Sequence, residues 1–109
     1  MTNKAKHISL HNYSFEIKFV PNDNELIKGF DGRTFYNQRL ILIRDDLDDI
    51  MTKAVLRHEL THAILMVQGR GYQKKFDVEE LCEFVAFQSP IIEQKVRKLW
   101  EERVDDYDK

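Results

Sequence analysis

MTKAVLRHELTHAILMV, residues 51–67, is the segment from which the architecture of this chain is best predicted. Apolar residues recur along it at helical spacing and form one stripe: Leu56, Leu60, Ile64 and Val67. A second, adjacent apolar stripe also contains His58 and His62. The segment therefore predicts a long helix that is apolar over most of its circumference and largely buried.

The two histidines and the glutamate that follows the first of them form an H-E-x-x-H motif, His58-Glu59-Leu60-Thr61-His62. On a helix, this spacing places both imidazoles on one face, about one turn apart. Such a pair can bind one Zn²⁺, and Glu59 beside it can accept a proton from a water on the metal. The alternative is an ordinary helix with two partly buried, hydrogen-bonded histidines and a surface glutamate.

Length and composition indicate a single globular domain over residues 1–109. The 109 residues are 42% hydrophobic and 33% charged, which is ordinary for a domain with a modest core. A formal net charge of −2 offers no basic field, so we expect neither a nucleic-acid nor a membrane partner. Without a transmembrane-length apolar run or a signal-peptide pattern, and with one cysteine, the chain is predicted to be a cytoplasmic monomer. We expect that cysteine, Cys82, to be a small buried packing residue.

The residues before the helix predict a small antiparallel sheet. Tyr13 to Val20 alternates apolar and polar residues, which is typical of a strand with one buried face. Arg33 to Tyr36 is expected to be a second extended segment, and Arg39 to Arg44 contains a buried strand. His7 and His11 lie in extended chain near the terminus, where we expect no metal site.

The ends of the helices are also indicated by the sequence. The acidic run at residues 45–49 predicts an N-cap for the first helix, and a Ca²⁺ site is less favoured because the spacing does not fit an EF-hand loop. Gly69 fits the C-terminal end of that helix. Asp77 and Glu80 form a capping-box pattern before a second helix, Val78 to Gln88. Ser89-Pro90 is expected to end it and to begin a third helix, residues 91–104.

A catalytic zinc site needs a third protein ligand, which we expect from the second helix. Glu79 and Glu83 share one face of that helix, whereas Glu80 has a competing role in the capping box. We interpret Glu79 as the third ligand and Glu83 as an acceptor that orients a ligating histidine through its other ring nitrogen. The alternative is that both are solvated carboxylates on a helix surface.

The H-E-x-x-H motif followed by EELCEFVA, residues 79–86, resembles the gluzincin zinc peptidases, in particular the compact ImmA/IrrE-type proteins. The resemblance covers most of residues 35–90. It implies a minimal zincin-like α+β fold, in which the sheet packs on the motif helix, followed by a glutamate-ligand helix and a C-terminal helix. It also implies His58, His62 and Glu79 as zinc ligands and Glu59 as the general base. Glu83 stands where that family has Asn.

The resemblance implies zinc-dependent hydrolysis of a protein or peptide, with Glu59 transferring a proton from the attacking water to the leaving amine. Many members are encoded on phages and other mobile elements, and some act on a repressor, so a repressor-type partner is one implied substrate. In that family an edge strand of the sheet borders the cleft and pairs with extended substrate. Tyr72 and Tyr36 are candidates for stabilising the oxyanion, but an ordinary core or surface role is favoured for each.

A different class of function remains open on the sequence alone. The chain could be a non-catalytic binding module that keeps the zincin fold, holds a structural zinc and acts by protein–protein interaction. The intact Glu59 favours the enzyme, because a structural site needs no base there. The small size favours the binding module, because little chain remains to build a deep pocket.

Overall fold

The computed structural model describes residues 6–70 and 75–107, with side chains as far as residue 102. It contains four strands followed by two helices: β1 (Lys6–Leu10), β2 (Tyr13–Val20), β3 (Gly32–Phe35), β4 (Leu40–Arg44), α1 (Asp49–Val67) and α2 (Val78–Tyr107). The predicted α+β class, with a sheet in the N-terminal half and helices after it, is confirmed.

The strands form one sheet in the order β1-β2-β4-β3. Two of its pairs are antiparallel, but β2 and β4 run parallel, so the expectation of a wholly antiparallel sheet is wrong. The reason lies in the composition of the β3–β4 hairpin. Residues 41–43 of β4 are all apolar and buried, which suits an interior strand, whereas Arg33 and Thr34 of β3 suit an edge.

The core lies between one face of the sheet and the two helices. Phe15, Ile17 and Phe19 of β2 are buried, which confirms the predicted alternation. The helices add a set of buried apolar residues to this cluster, namely Val55, Leu56, Leu60, Ala63 and Ile64 from α1 and Ile92, Val96 and Leu99 from α2. The apolar stripe of the motif helix is thus the surface by which it packs on the sheet.

Helix α1 begins and ends as its sequence predicts. Its N-cap is Asp48, whose carboxylate accepts a hydrogen bond from the amide of Met51 at 2.7 Å. Gly69 follows the C-cap residue Gln68 with a φ of 76°, a conformation that glycine adopts without steric cost. The expected burial of the histidine stripe is wrong for the histidines themselves, because His58 and His62 are exposed, although Val55 of the same stripe is buried.

Helix α2 is continuous through Pro90, so the predicted division into two helices at Ser89-Pro90 is wrong. A proline in a helix interior removes one hydrogen bond and costs about 3 kcal/mol. Packing on both sides of Pro90 offsets this cost, since Phe84 contacts the core before it and Ile92 is buried after it. The capping box at the start of α2 is confirmed: the amide of Glu80 donates to Asp77 Oδ1 at 2.7 Å, and the amide of Asp77 donates to Glu80 Oε1 at 3.4 Å.

Cys82 is exposed, so its predicted packing role is wrong; the core-facing position of this turn is taken by Phe84. Of the helices in the described residues, none combines the length and the apolar character needed to cross a bilayer.

Candidate metal centre

The two motif histidines meet on the exposed face of α1. Their Nε2 atoms are 3.2 Å apart, and the rings are arranged edge to face with centroids 4.8 Å apart. Two nitrogens bound to one tetrahedral zinc ion at its usual bond length lie about 3.3 Å from each other. The pair therefore fits two positions of a zinc site. The same separation also fits an N–H···N hydrogen bond between neutral imidazoles, the alternative that the sequence leaves open.

Glu59 is buried, although it follows a histidine whose side chain is 68% exposed. Its own side chain is 8% exposed, because the carboxylate turns beneath β3. Oε1 accepts a hydrogen bond from the Thr34 hydroxyl at 2.8 Å, and Oε2 lies 4.0 Å from His58 Nε2. The alternative of a surface glutamate is thus wrong, and one oxygen of this buried carboxylate faces the histidine pair.

Sequence reasoning did not identify Thr34 as part of the site. A threonine in a short strand is common, and its distance of 25 residues from Glu59 gives no local pattern. Only the packing of β3 on α1 brings the two side chains together.

Gly32 provides the space that Glu59 occupies. A Cβ added at Gly32 would lie 2.8 Å from Val55 Cγ1, 3.1 Å from the carbonyl oxygen of Leu42 and 3.2 Å from Glu59 Cγ. Neighbours on both α1 and β4 would therefore have to shift. The absence of a side chain is what lets α1 approach the beginning of β3.

We expect Gly32→Ala to lower the free energy of unfolding by about 1–3 kcal/mol, because the added methyl group overpacks the α1–β3 contact. Chemical denaturation measures this loss. Gly29→Ala is the control: it strains a φ of 89°, but its Cβ meets nothing within 4 Å. A Gly32→Ala variant as stable as the wild type would contradict the close packing described for this contact.

An open groove runs along α1 on both sides of His58. One depression, of about 370 Å³, lies between Phe30 to Gly32 and the α1 residues Met51, Val55 and Glu59. The other, of about 400 Å³, continues past His62 to Leu65. Because His58 lines both depressions, the histidine pair lies where they meet, and an extended chain could pass over it.

The strand that borders this groove is the sheet edge β3, not β4, which precedes the motif helix. The amide of Arg44 donates to the carbonyl oxygen of Asp31 at 2.9 Å, so these two residues form a hydrogen-bonded pair of the antiparallel ladder. Hydrogen-bonded pairs alternate along such a ladder, so Arg33 and Phe35 also pair with β4. The backbone N–H and C=O groups of Gly32 and Thr34 consequently point toward the free edge.

Glu79, the expected third ligand, is not grouped with the two histidines in this structure. Glu79 and Glu83 are exposed in the first turns of α2. Among the side chains described, those of residues 6–70 and 75–102, no group of three or more His, Cys, Asp or Glu is placed to hold a metal ion. Glu80 instead closes the capping box and binds Arg70. Ligation by Glu79 and orientation of a histidine by Glu83 stay predictions.

The remaining candidates make other contacts or lie outside the described residues. Tyr36 is half-buried and packs against Phe15, with ring centroids 6.5 Å apart, so its contact in this structure is with the core. Tyr72 lies outside the described residues. His7 Nε2 is 3.9 Å from a Glu16 oxygen, and His11 Nε2 is 3.3 Å from the Gln88 amide oxygen. Those two histidines are thus engaged separately, at opposite ends of β1.

The chain is similar to curated proteins named "Protein SprT-like" from Streptococcus agalactiae. Over 80 residues it is 32% identical to those of serotypes Ia and V, covering 69% of this chain and 56% of each relative. The protein from serotype III is 31% identical over the same length, with 52% of that relative covered. The chain thus spans about half the length of the curated relatives it matches. No family model matches the chain, and no solved structure matches it. The ImmA/IrrE-type resemblance stays a prediction.

Proposed function

We propose that this chain is a zinc-dependent metallopeptidase that hydrolyses peptide bonds of a protein or peptide substrate. The observation that carries the proposal is the separation of 3.2 Å between the Nε2 atoms of His58 and His62, beside a carboxylate oxygen of Glu59. The partial similarity to SprT-like proteins supports it, and we interpret that group as zincin-like.

In this proposal His58, His62 and Glu79 hold the zinc ion. When bound, the metal supplies Lewis acidity, which polarises a peptide carbonyl and lowers the pKa of water to near neutrality. Glu59 Oε2 accepts the proton of the attacking water and delivers it to the leaving amine. Burial of Glu59 beneath β3 keeps its other oxygen occupied and directs Oε2 toward the histidine face.

The substrate is proposed to bind as an additional strand. Its backbone pairs with the outward N–H and C=O groups of Gly32 and Thr34 and continues along the groove over His58. Main-chain pairing places an extended peptide beside the histidines without requiring a deep pocket. This mode suits the open groove of a small domain and leaves sequence preference to the side chains that line it.

The second candidate is a non-catalytic binding module that keeps the fold, with a structural zinc, and acts by protein–protein interaction. It is favoured by the lack of a third ligand beside the histidines within the described residues. The same groove and strand edge would then hold a partner without cleaving it. The buried, anchored Glu59 argues for the enzyme, since a partner-binding surface gains nothing from a carboxylate held in that position.

One experiment separates these functions. Zinc content is measured in the purified protein, and hydrolysis of an unstructured protein substrate is followed before chelation, after chelation and after zinc is restored. If the chain is a peptidase, we expect about one zinc per chain. Hydrolysis should then be lost on chelation and recovered when zinc is restored. Stoichiometric zinc without hydrolysis would support the binding module, and absence of zinc would refute the metal site itself.

A further inference from the structure

Thr34 makes a contact with Glu59 that neither the motif nor the relatives assign. Its hydroxyl lies 2.8 Å from Glu59 Oε1 and 3.2 Å from the backbone carbonyl oxygen of the same residue. A hydroxyl has one proton to donate, and an ionised carboxylate is a stronger acceptor than a neutral carbonyl. The shorter contact to Oε1 is therefore the principal hydrogen bond.

The position of this hydroxyl is fixed by the sheet. Thr34 pairs with Ile41 of the interior strand β4, and its β-branched side chain has restricted χ1 rotamers. Two residues earlier on the same face of β3, Gly32 leaves room for Glu59 Cγ. Gly32 thus leaves space for the Glu59 side chain, and Thr34 binds one of its carboxylate oxygens.

We propose that Thr34 is the positioning residue of Glu59: its hydroxyl anchors Oε1 so that Oε2 faces the histidine pair. The terminal torsion of a glutamate is broad and roughly two-fold, so a carboxylate without an anchor would turn among several orientations. The inference rests on the proposed function only in its consequence for catalysis, because the anchor itself is a property of the metal-free chain.

The same residue links the base to the substrate. The backbone of Thr34 lies on the free edge where the proposed peptide strand would pair, while its side chain holds Glu59. A peptide bound at that edge is thereby held in fixed relation to the carboxylate that must act on it. Correct placement of a base relative to its substrate is a large part of catalytic efficiency.

The test compares Thr34→Val, which removes the hydroxyl at nearly constant shape, with Thr34→Ser, which keeps it. We expect Thr34→Val to lower kcat by about 10- to 100-fold, a part of what a general base contributes, with KM and zinc content unchanged. Thr34→Ser should recover most of that loss. Thr52→Val is the matched control, because Thr52 is a buried threonine of α1 that donates to the carbonyl oxygen of Asp48.

A second measurement does not depend on activity. The metal-free protein is labelled with ¹³C at the glutamate carboxyl carbon. The chemical shift of the Glu59 carboxyl carbon should change in Thr34→Val and stay unchanged in Thr34→Ser and Thr52→Val. In the wild type, exchange of the hydroxyl proton for deuterium should give an isotope shift at the same carbon. This last result needs no variant to fold.

The outcomes distinguish the inference from the proposed function. An active wild type with unchanged kcat in Thr34→Val, or a Glu59 resonance that responds to neither substitution nor deuterium, would overturn the positioning role. An inactive wild type refutes the peptidase, and the carbon resonance then decides alone whether Thr34 anchors Glu59. Equal losses in Thr34→Val and Thr34→Ser would also overturn it, since a role that the hydroxyl does not explain is merely structural.

Discussion

Replacing Glu59 by Gln is expected to lower peptide hydrolysis by about 10²- to 10⁴-fold while the protein keeps its zinc. Glutamine has nearly the same shape, and its amide oxygen can still accept the hydrogen bond from Thr34. It cannot take a proton from water, so only the proton-transfer step is lost. Initial rates at saturating substrate and metal content of the same samples measure the two quantities together.

Glu93→Gln is the matched control for that substitution. Glu93 is exposed and binds Arg57, whose hydrogen bond lowers the pKa of the Glu93 carboxyl, and it does not contact the histidine pair. We expect the Glu93 variant to hydrolyse substrate as the wild type does. Equal activity in the wild type and Glu59→Gln, with zinc present in both, would refute the proposed peptidase and support the binding module.

His58→Ala should weaken zinc binding by at least about 100-fold, because loss of a direct ligand exceeds the effect of losing an outer hydrogen-bond partner. His62→Ala should behave alike, since the two nitrogens share one metal ion. Competition with a chromophoric chelator gives the affinities. His7→Ala is the control, as that histidine lies on β1 beside Glu16. Full zinc affinity in His58→Ala would mean that the ligands are wrongly assigned.

The third ligand is identified by the same titration. Glu79→Gln should lose zinc affinity, whereas Glu80→Gln should keep it and lose only some stability, because Glu80 belongs to the capping box. The opposite result would transfer the ligand role to Glu80. Wild-type affinity in both variants would leave the two histidines without the carboxylate that the proposal requires.

Local features of this chain could be predicted from its sequence. The alternation in β2, the N-cap Asp48 and the capping box of Asp77 with Glu80 each depend on residues close together in the chain. The histidine pair belongs to the same class, because helical spacing alone brings residues 58 and 62 together.

Features that depend on packing could not be predicted in this way. The parallel pairing of β2 with β4 follows from competition between β3 and β4 for the interior of the sheet. The exposure of the histidine stripe depends on which face of α1 the sheet covers. The contact between Thr34 and Glu59 likewise exists only because β3 lies on α1.

Pro90 has a mechanical consequence for the residue proposed as third ligand. Because proline lacks an amide hydrogen, the carbonyl of Ala86 has no helical donor, and α2 bends there at least cost. Beyond that point Ile92 and Leu99 are buried in the core, whereas before it Phe84 is only partly buried against the core and Val78 is 74% exposed. The half of α2 that carries Glu79 is therefore held to the core by less buried apolar surface than the half beyond Pro90.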